Sequence, residues 1–317
     1  MDVSQNKIVV AAVGGNAIMR ENQKGTLAEQ TANVEECTKE LVRIFELGYQ
    51  LVLTHGNGPQ IGLIMLRDAS PFAVKPPMPL YIYNAETQGQ IGYQLMASLN
   101  NRLIKAGRSN NITAMLTQVV VDSRDPDFQK PTKPIGPFYT KEEMDKLQKE
   151  LSFPYVEDSG RGYRKLVCSP RPVEIVEARI VKGLTALGLS VISAGGGGIP
   201  VVRCEDGTLK GVEAVIDKDF TSAMLAADID AGTLMILTGV EKVAINFNKP
   251  GTKFLDKMTI REAEHYMAEG QFPPGSMGPK VEAAMQYVKR CRGRAIITKL
   301  DKAVDALKGE TGTLILP

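Results

Sequence analysis

The chain of 317 residues carries 38 Lys plus Arg against 36 Asp plus Glu, a net charge of +2. That balance argues against a chain-wide role in binding nucleic acid or another polyanion. Hydrophobic residues make up 43% and charged residues 23%, an ordinary globular composition, while 6% aromatics and no Trp leave little with which to stack bases.

Residues 7–13 (KIVVAAV) form a nearly unbroken apolar run ending in Gly14-Gly15, which predicts a strand buried on both faces. A helix follows, with Val34, Cys37, Leu41, Ile44 and Phe45 on one face and Gly48 as its stop. Residues 50–54 predict a strand that runs into His55-Gly56-Asn57-Gly58-Pro59. A second long helix carries Ile91, Leu95, Leu99 and Leu103, and residues 112–121 read as a strand. Residues 122–172 break this rhythm. Seven of the 18 prolines fall there (126, 131, 134, 137, 154, 170 and 172), with dense charge and one short helix near Thr140–Leu151. The stretch reads as a protruding subdomain inserted within a single domain spanning 1–317; it is either a lid or a long surface excursion. Beyond it, residues 191–194, 212–216, 234–237, 243–245 and 295–298 predict strands separated by helices. The last helical stripe is Val281, Ala284, Met285 and Val288, and a final strand signal lies near Thr313–Leu316. Such alternation predicts an α/β fold with a largely parallel sheet and helices on both faces.

Three glycine-rich turns follow apolar strands: Gly14-Gly15-Asn16-Ala17, Gly56-Asn57-Gly58-Pro59 and Gly195-Gly196-Gly197-Gly198. In an open α/β sheet, ligands bind beyond the carboxyl ends of the strands. Glycine there lets backbone N–H groups approach an anion closely. The P-loop pattern G-x-x-x-x-G-K-[ST], the dinucleotide fingerprint G-x-G-x-x-G and the protein-kinase motifs H-R-D and D-F-G are all missing.

Cations complete the pattern. In Ile216-Asp217-Lys218-Asp219-Phe220, Asp217 can cap a helix and Asp219 suits its first turn, whereas Lys218 opposes the helix dipole. Lys218 is either a solvated surface residue or one that meets a ligand anion. Lys280 also opens a helix, and Lys133 lies in the proline-rich insertion. Together the three lysines would form a cationic clamp suited to phosphoryl transfer.

Other chemistries are poorly supplied. Of the two histidines, His265 sits in a charged helix, and His55 precedes the second glycine loop, where a structural and a functional role are equally open. A Ser-His-Asp triad is therefore weakly supported. Asp122, Asp125 and Asp127 do not have calcium-loop spacing and read as turn formers. Cys37, Cys168, Cys204 and Cys291 are far apart with no C-x-x-C, which argues against zinc and against a redox pair. With neither a signal peptide nor a membrane-length apolar run, the expectation is a cytoplasmic protein.

The ordered set of segments is the most specific signal. It comprises Ala12–Ala17, Thr54–Gln60, Thr87–Tyr93, Thr117–Asp122, Pro131–Pro137, Gly195–Val202, Gly211–Phe220, Leu237–Val240 and Pro274–Lys280. Along nearly its whole length the chain closely resembles the carbamate kinases of the amino-acid kinase superfamily. The resemblance implies a three-layer αβα sandwich around a mainly parallel sheet of about eight strands, and a homodimer. It also implies reversible transfer between ATP and carbamate, giving ADP and carbamoyl phosphate with Mg2+, often run toward ATP at the end of arginine breakdown.

By the same resemblance, Lys133, Lys218 and Lys280 are active-site lysines and Asp219 orients them. Gly14, Gly15, Asn16, Gly56, Asn57 and Gly58, with Gly195 and Gly196, belong to phosphate and carbamate loops. Thr238, Gly239, Val240, Val243, Ile245, Ser276, Met277 and Pro279 belong to the nucleotide pocket. The metal ligands stay open, since magnesium can be held by phosphates and water alone. Two rivals remain: another small-acid kinase of this fold, acetylglutamate-kinase-like, and a non-catalytic nucleotide sensor.

Overall fold

The computed structural model describes residues 6–20, 23–68, 77–109, 111–151, 154–157, 160 and 162–317. Within the proline-rich stretch, residues 152, 153, 158, 159 and 161 lie outside the described residues. In chain order the strands are β1 (Ile8–Val13), β2 (Gln50–His55), β3 (Ile112–Ala114), β4 (Gln118–Val121), β5 (Lys133–Tyr139), β6 (Tyr155–Glu157), β7 (Tyr163–Val167), β8 (Pro172–Ile175), β9 (Ser190–Ile192), β10 (Ile199–Arg203), β11 (Leu209–Gly211), β12 (Thr233–Thr238), β13 (Val243–Ile245), β14 (Lys253–Leu255), β15 (Lys257–Thr259), β16 (Arg294–Lys299) and β17 (Thr313–Leu316). The helices are α1 (Leu27–Glu46), α2 (Gly58–Asp68), α3 (Leu80–Lys105), α4 (Lys141–Leu151), α5 (Ala178–Ala186), α6 (Lys218–Asp228), α7 (Ile260–Ala268), α8 (Met277–Cys291) and α9 (Ala303–Lys308).

Eight strands form the main sheet in the order β15-β17-β16-β12-β1-β2-β9-β3. All neighbours are parallel except β16 and β17. The run that begins at Ile8 explains its place at the centre. Val9, Ala11 and Val13 point into one helical layer, where Leu41, Ile44, Leu95 and Leu99 meet them from α1 and α3. Val10 points into the other, against Ala226 of α6 and Val281 and Ala284 of α8. A strand flanked by helices on both faces must be apolar at every position, and residues 9–13 are fully buried. The result is the three-layer αβα sandwich that the pattern predicts.

Local signals set the element ends. Thr26 opens α1 with a capping box: its side chain accepts from the Glu29 N–H, and the Glu29 carboxylate accepts from the Thr26 N–H. Asp217 caps α6 by accepting from the Asp219 N–H at 3.0 Å.

Three predicted strands differ from the structure. Residues 112–121 are not one strand. β3 closes the edge of the main sheet, while β4 enters a second sheet in the order β11-β10-β4-β8. The break falls at Thr117, whose N–H donates to the Gln88 side chain and whose carbonyl accepts from Gln88 Nε2 and the Ile199 N–H. Residues 212–216 form no strand. Ala214, Val215 and Ile216 are buried in an irregular segment, so their apolar run reflects burial without ladder pairing. β13 exists as expected but pairs only with β14, outside the main sheet.

Within the proline-rich stretch, strands in the order β5-β7-β6 form a separate small sheet, with α4 between β5 and β6 in sequence. It docks on α2 through Ile135 and Val167 against Ile61 and Ile64.

Leu95 and Leu99 have no exposed surface in the layer between α3 and the sheet. Truncating Leu99 to Ala should cost about 2–5 kcal/mol of stability. Chemical unfolding monitored by circular dichroism would show this as a lower midpoint.

Candidate active site

Four loops converge at the carboxyl ends of the adjacent strands β12, β1, β2 and β9. β1 lies between β2, the next strand in the chain, and β12, which arrives more than two hundred residues later. This is the position where an α/β sheet opens a crevice. The first two loops press together: a Cβ on Gly56 would lie 2.7 Å from the Gly15 nitrogen, and one on Gly15 would lie 3.0 Å from Pro59 Cδ. Only glycine permits this approach, and it leaves backbone where side chains would otherwise stand. Gly14 sits beside them under the end of β12, and Gly58 begins α2. Asn16 is placed by its backbone in the tight turn Gly15–Ala17; its side chain lies outside the described residues.

The Gly195–Gly198 loop has another place. Gly195, Gly196 and Gly197 are buried. A Cβ on Gly195 would meet His55 Nε2 at 2.3 Å, and one on Gly196 would meet Asn57 Nδ2 at 2.1 Å. These glycines therefore pack closely against the second loop. Gly196 also has φ of +63°, a conformation that side chains disfavour.

Lysines face this crevice from two helix starts. Lys218 Nζ lies 2.5 Å from Asp219 Oδ1, and Lys280 Nζ lies 3.0 Å from Asp219 Oδ2. Lys133, at the start of β5, reaches Asp217 Oδ2 at 2.8 Å. The three lysines thus gather on two carboxylates at one helix N-terminus, although Lys133 is 85 residues away in sequence from Lys218 and binds the other acid. Asp219 is 2% exposed. Burial alone would raise its pKa, but the charges and hydrogen bonds of Lys218 and Lys280 overcome this and hold it down at about 2. The carboxylate is ionised throughout the neutral range, so it fixes both ammonium groups in place.

His55 is buried, with Nδ1 3.1 Å from the Gly56 carbonyl. Burial pushes its pKa down to about 4; the Gly56 carbonyl works against that shift and Lys218 adds to it. The ring is neutral near pH 7 and donates from Nδ1 to Gly56. That is a structural role.

A cleft of about 370 Å³ opens beside Lys280. Thr238, Gly239, Val240, Ser276 and Met277 line it, as the sequence predicts. Val243, Ile245 and Pro279 do not. Val243 lies within the core and Ile245 packs against that core, whereas Ala244 between them faces the cleft. Alternation along β13 accounts for this, since neighbouring residues point to opposite faces. Sequence reasoning missed Gln271, Phe272, Pro273 and Gly275, in a loop with no periodic signal. Lys242 also lines the cleft and pairs with Asp256 at 2.5 Å.

Asp122, Asp125 and Asp127 act in turns. Asp122 binds Arg124, Asp125 caps the turn at Pro126–Phe128, and Asp127 accepts from the Ser169 N–H. Among the described residues, no group of three His, Cys, Asp or Glu side chains could hold a metal ion.

The amino acid kinase family pattern matches residues 7–299. A carbamate kinase from Thermococcus kodakarensis is 48% identical over 98% of this chain and 99% of its own length. The carbamate kinase-like protein YahI from Escherichia coli is 46% identical over 98% of this chain and 99% of its own. Among solved structures, carbamate kinase from Giardia lamblia bound to AMP-PNP superposes with a TM-score of 0.90 at 42% identity, covering 99% of both chains. The chain belongs to the amino acid kinase family, on its carbamate kinase branch.

Acid should destabilise the protein in two stages. An unfolded His titrates near about 6.5 and folded His55 near 4. As pH falls, the unfolded chain takes up this proton first, so stability that is full above about 6.5 is lost on the way to about 4. Asp219 extends the loss. Its carboxylate titrates at about 2 when folded, so stability present above about 3.9 is lost as pH falls further. Urea unfolding between about pH 7 and 4 should show the upper stage in the wild type and not in His55→Gln.

Proposed function

We propose that the crevice between the glycine loops and the lysines transfers a phosphoryl group between ATP and carbamate, giving ADP and carbamoyl phosphate. One observation carries this reading: Asp219 grips Lys218 and Lys280 together, and Lys280 stands at the mouth of the cleft lined by Thr238, Gly239 and Met277. The two ammonium groups therefore lie where a nucleotide in that cleft would extend its phosphates.

The chemistry suits such a site. Carbamate is already an anion, so a carbamate oxygen attacks the γ-phosphorus without losing a proton. The bond to the β-phosphate bridging oxygen breaks as the new P–O bond forms, and ADP leaves with the electron pair. No general base is needed, in keeping with a neutral, buried His55. Catalysis then consists of alignment and of neutralising charge on the phosphoryl oxygens, the work of Lys218, Lys280 and the backbone of the Gly14-Gly15 and Gly56-Asn57 loops. Lys133 closes over the carbamate from β5, which makes the β5-β7-β6 sheet a lid.

Magnesium enters as part of the nucleotide substrate. Both Asp219 oxygens are already engaged by lysines, so the side chains in hand suit a metal carried by phosphates and water. Net flux toward ATP synthesis in arginine breakdown, a cytoplasmic location and a homodimer complete the reading. Exposed Tyr93 and Ile104 on α3 and Leu116 beside the edge strand β3 offer apolar surface for a second copy. Among the described residues, no helix is long and apolar enough to cross a membrane.

The decisive assay measures ATP formed from ADP, Mg2+ and carbamoyl phosphate, with acetyl phosphate as control donor. Fast, donor-selective ATP formation is expected; none from folded, nucleotide-binding protein overturns the reading. Lys218→Ala and Lys280→Ala should each lower kcat by about a hundred to a thousandfold, equivalent to about 2.7–4 kcal/mol of transition-state stabilisation. Wild-type rates in either variant would remove that lysine from the mechanism. Lys133→Ala should instead raise KM for carbamate, and unchanged kinetics would count against the lid.

A further inference from the structure

The two helices that carry Lys218 and Lys280 run parallel and are tied near both ends. Asp219 of α6 meets Lys280 of α8 at 3.0 Å near their first turns, and Asp228 of α6 meets Arg290 of α8 at 2.6 Å near their last. Between these ties the shared core is built from short side chains: Ala223, Ala226 and Ala227 on α6, and Ala283 and Ala284 on α8. Short side chains make shallow ridges, which resist sliding of one helix along the other only weakly. The outer groove between the helices holds a cavity of about 230 Å³, lined among others by Phe220, Glu282 and Arg290. Side chains therefore do not interlock along that groove.

Arg171 covers the end of the groove nearest the lysines. Its guanidinium lies over the Phe220 ring, 3.7 Å from the ring centre, and Nη2 donates to Glu282 at 3.1 Å. Phe220 stands two residues after Lys218, and Glu282 two residues after Lys280. Arg171 is thus a second clasp on the helix starts that Asp219 joins, made by residues outside the nucleotide cleft. A planar guanidinium stacks and forks at once, which an ammonium does not. The arginine also has a stiff root. It lies between Pro170 and Pro172, and a residue before proline is restricted to extended backbone. Its N–H donates to Asp125 Oδ2 at 3.0 Å, and Asp125 in turn caps the turn at Pro126–Phe128.

We propose that Arg171 is a positioning residue for phosphoryl transfer: it fixes α6 against α8 in the register that keeps the Lys218 and Lys280 ammonium groups aligned with each other. The proposal rests on the phosphoryl-transfer reading above and adds a residue that acts through the lysines. Asp219 by itself is a soft ruler for register, because each ammonium it holds sits on a flexible four-carbon stem. A contact with the helix bodies is stiffer, and Phe220 and Glu282 supply it. Alignment of this kind matters, since a displacement of about 1 Å caused far from the chemistry can slow a reaction about a hundredfold.

The test measures ATP formation from ADP and carbamoyl phosphate in the wild type, Arg171→Ala and Glu282→Gln, each also combined with Lys280→Ala and with Lys133→Ala. Arg171→Ala should lower kcat by about ten- to a hundredfold, with both KM values unchanged. Glu282→Gln keeps the size of the side chain and should lower kcat in the same direction by less. In the Lys280→Ala background, Arg171→Ala should add little, because the group it positions is gone; in the Lys133→Ala background it should keep its full effect. Wild-type kcat in Arg171→Ala would overturn the proposal. So would a rise in KM for carbamoyl phosphate at unchanged kcat, which would make Arg171 a hinge residue of the lid. A full further loss on top of Lys280→Ala would overturn it as well. If Arg171→Ala does not fold, Glu282→Gln and its coupling to Lys280→Ala decide. No ATP from the wild type would sink the phosphoryl-transfer reading itself, a result distinct from all of these.

Discussion

One buried carboxylate organises the site. Asp219 has lost nearly all its hydration, a state that is tolerable only because two ammonium groups replace the water. The dependence runs both ways. Lys218 and Lys280 each sit in the first turn of a helix, where the macrodipole is unfavourable to a cation. Asp219 offsets both, and so the packing of α6 against α8 through Ala226, Val281 and Ala284 delivers two positive charges to one point. Asp217, two residues earlier, pairs with Lys133 while capping α6.

The neutral side of the site is held by α3. Gln88 donates to the carbonyls of Thr117 and Gly195 and accepts from the Thr117 N–H. Asn84 and Thr87 hold Asn57 one turn away. These are buried polar groups whose hydrogen bonds have defined directions, and such networks specify a unique arrangement more sharply than apolar packing does. The loops after β1 and β2 are mostly glycine and have few side chains of their own to hold them. Their shape is imposed from the helix behind.

Much of this was legible from the residues. An unbroken apolar run from Ile8, one apolar face along α1, spacing four on α3, and glycine after β1 and β2 placed the sheet and its open end. The lysines stood out because Lys218 opposes a dipole that Asp217 and Asp219 favour. What stayed hidden was pairing. An apolar run such as 214–216 looks the same whether it joins a ladder or lies buried in an irregular segment. Thr117 gave no sign that it would interrupt residues 112–121, because its backbone partners come from Gln88, 29 positions earlier in the chain. The same limit applied to the nucleotide cleft. The region was recognisable, but one residue of register on β13 decides whether Val243 or Ala244 faces it. Gly195 and Gly196 looked like a third anion loop, yet close contact with His55 and Asn57 explains their lack of side chains.

The order of strands has a consequence for how the protein acquires activity. The crevice needs loops that follow β12, β1, β2 and β9, with lysines from β5, α6 and α8, so its parts span Gly14 to Lys280. No contiguous half of the chain contains them all. β1 has one neighbour until β12 has been made and threaded alongside it. During synthesis the centre of the sheet is therefore an unprotected edge for most of the chain's length, the kind of surface that chaperones cover. The crevice is complete only when the last of these parts has joined the sheet.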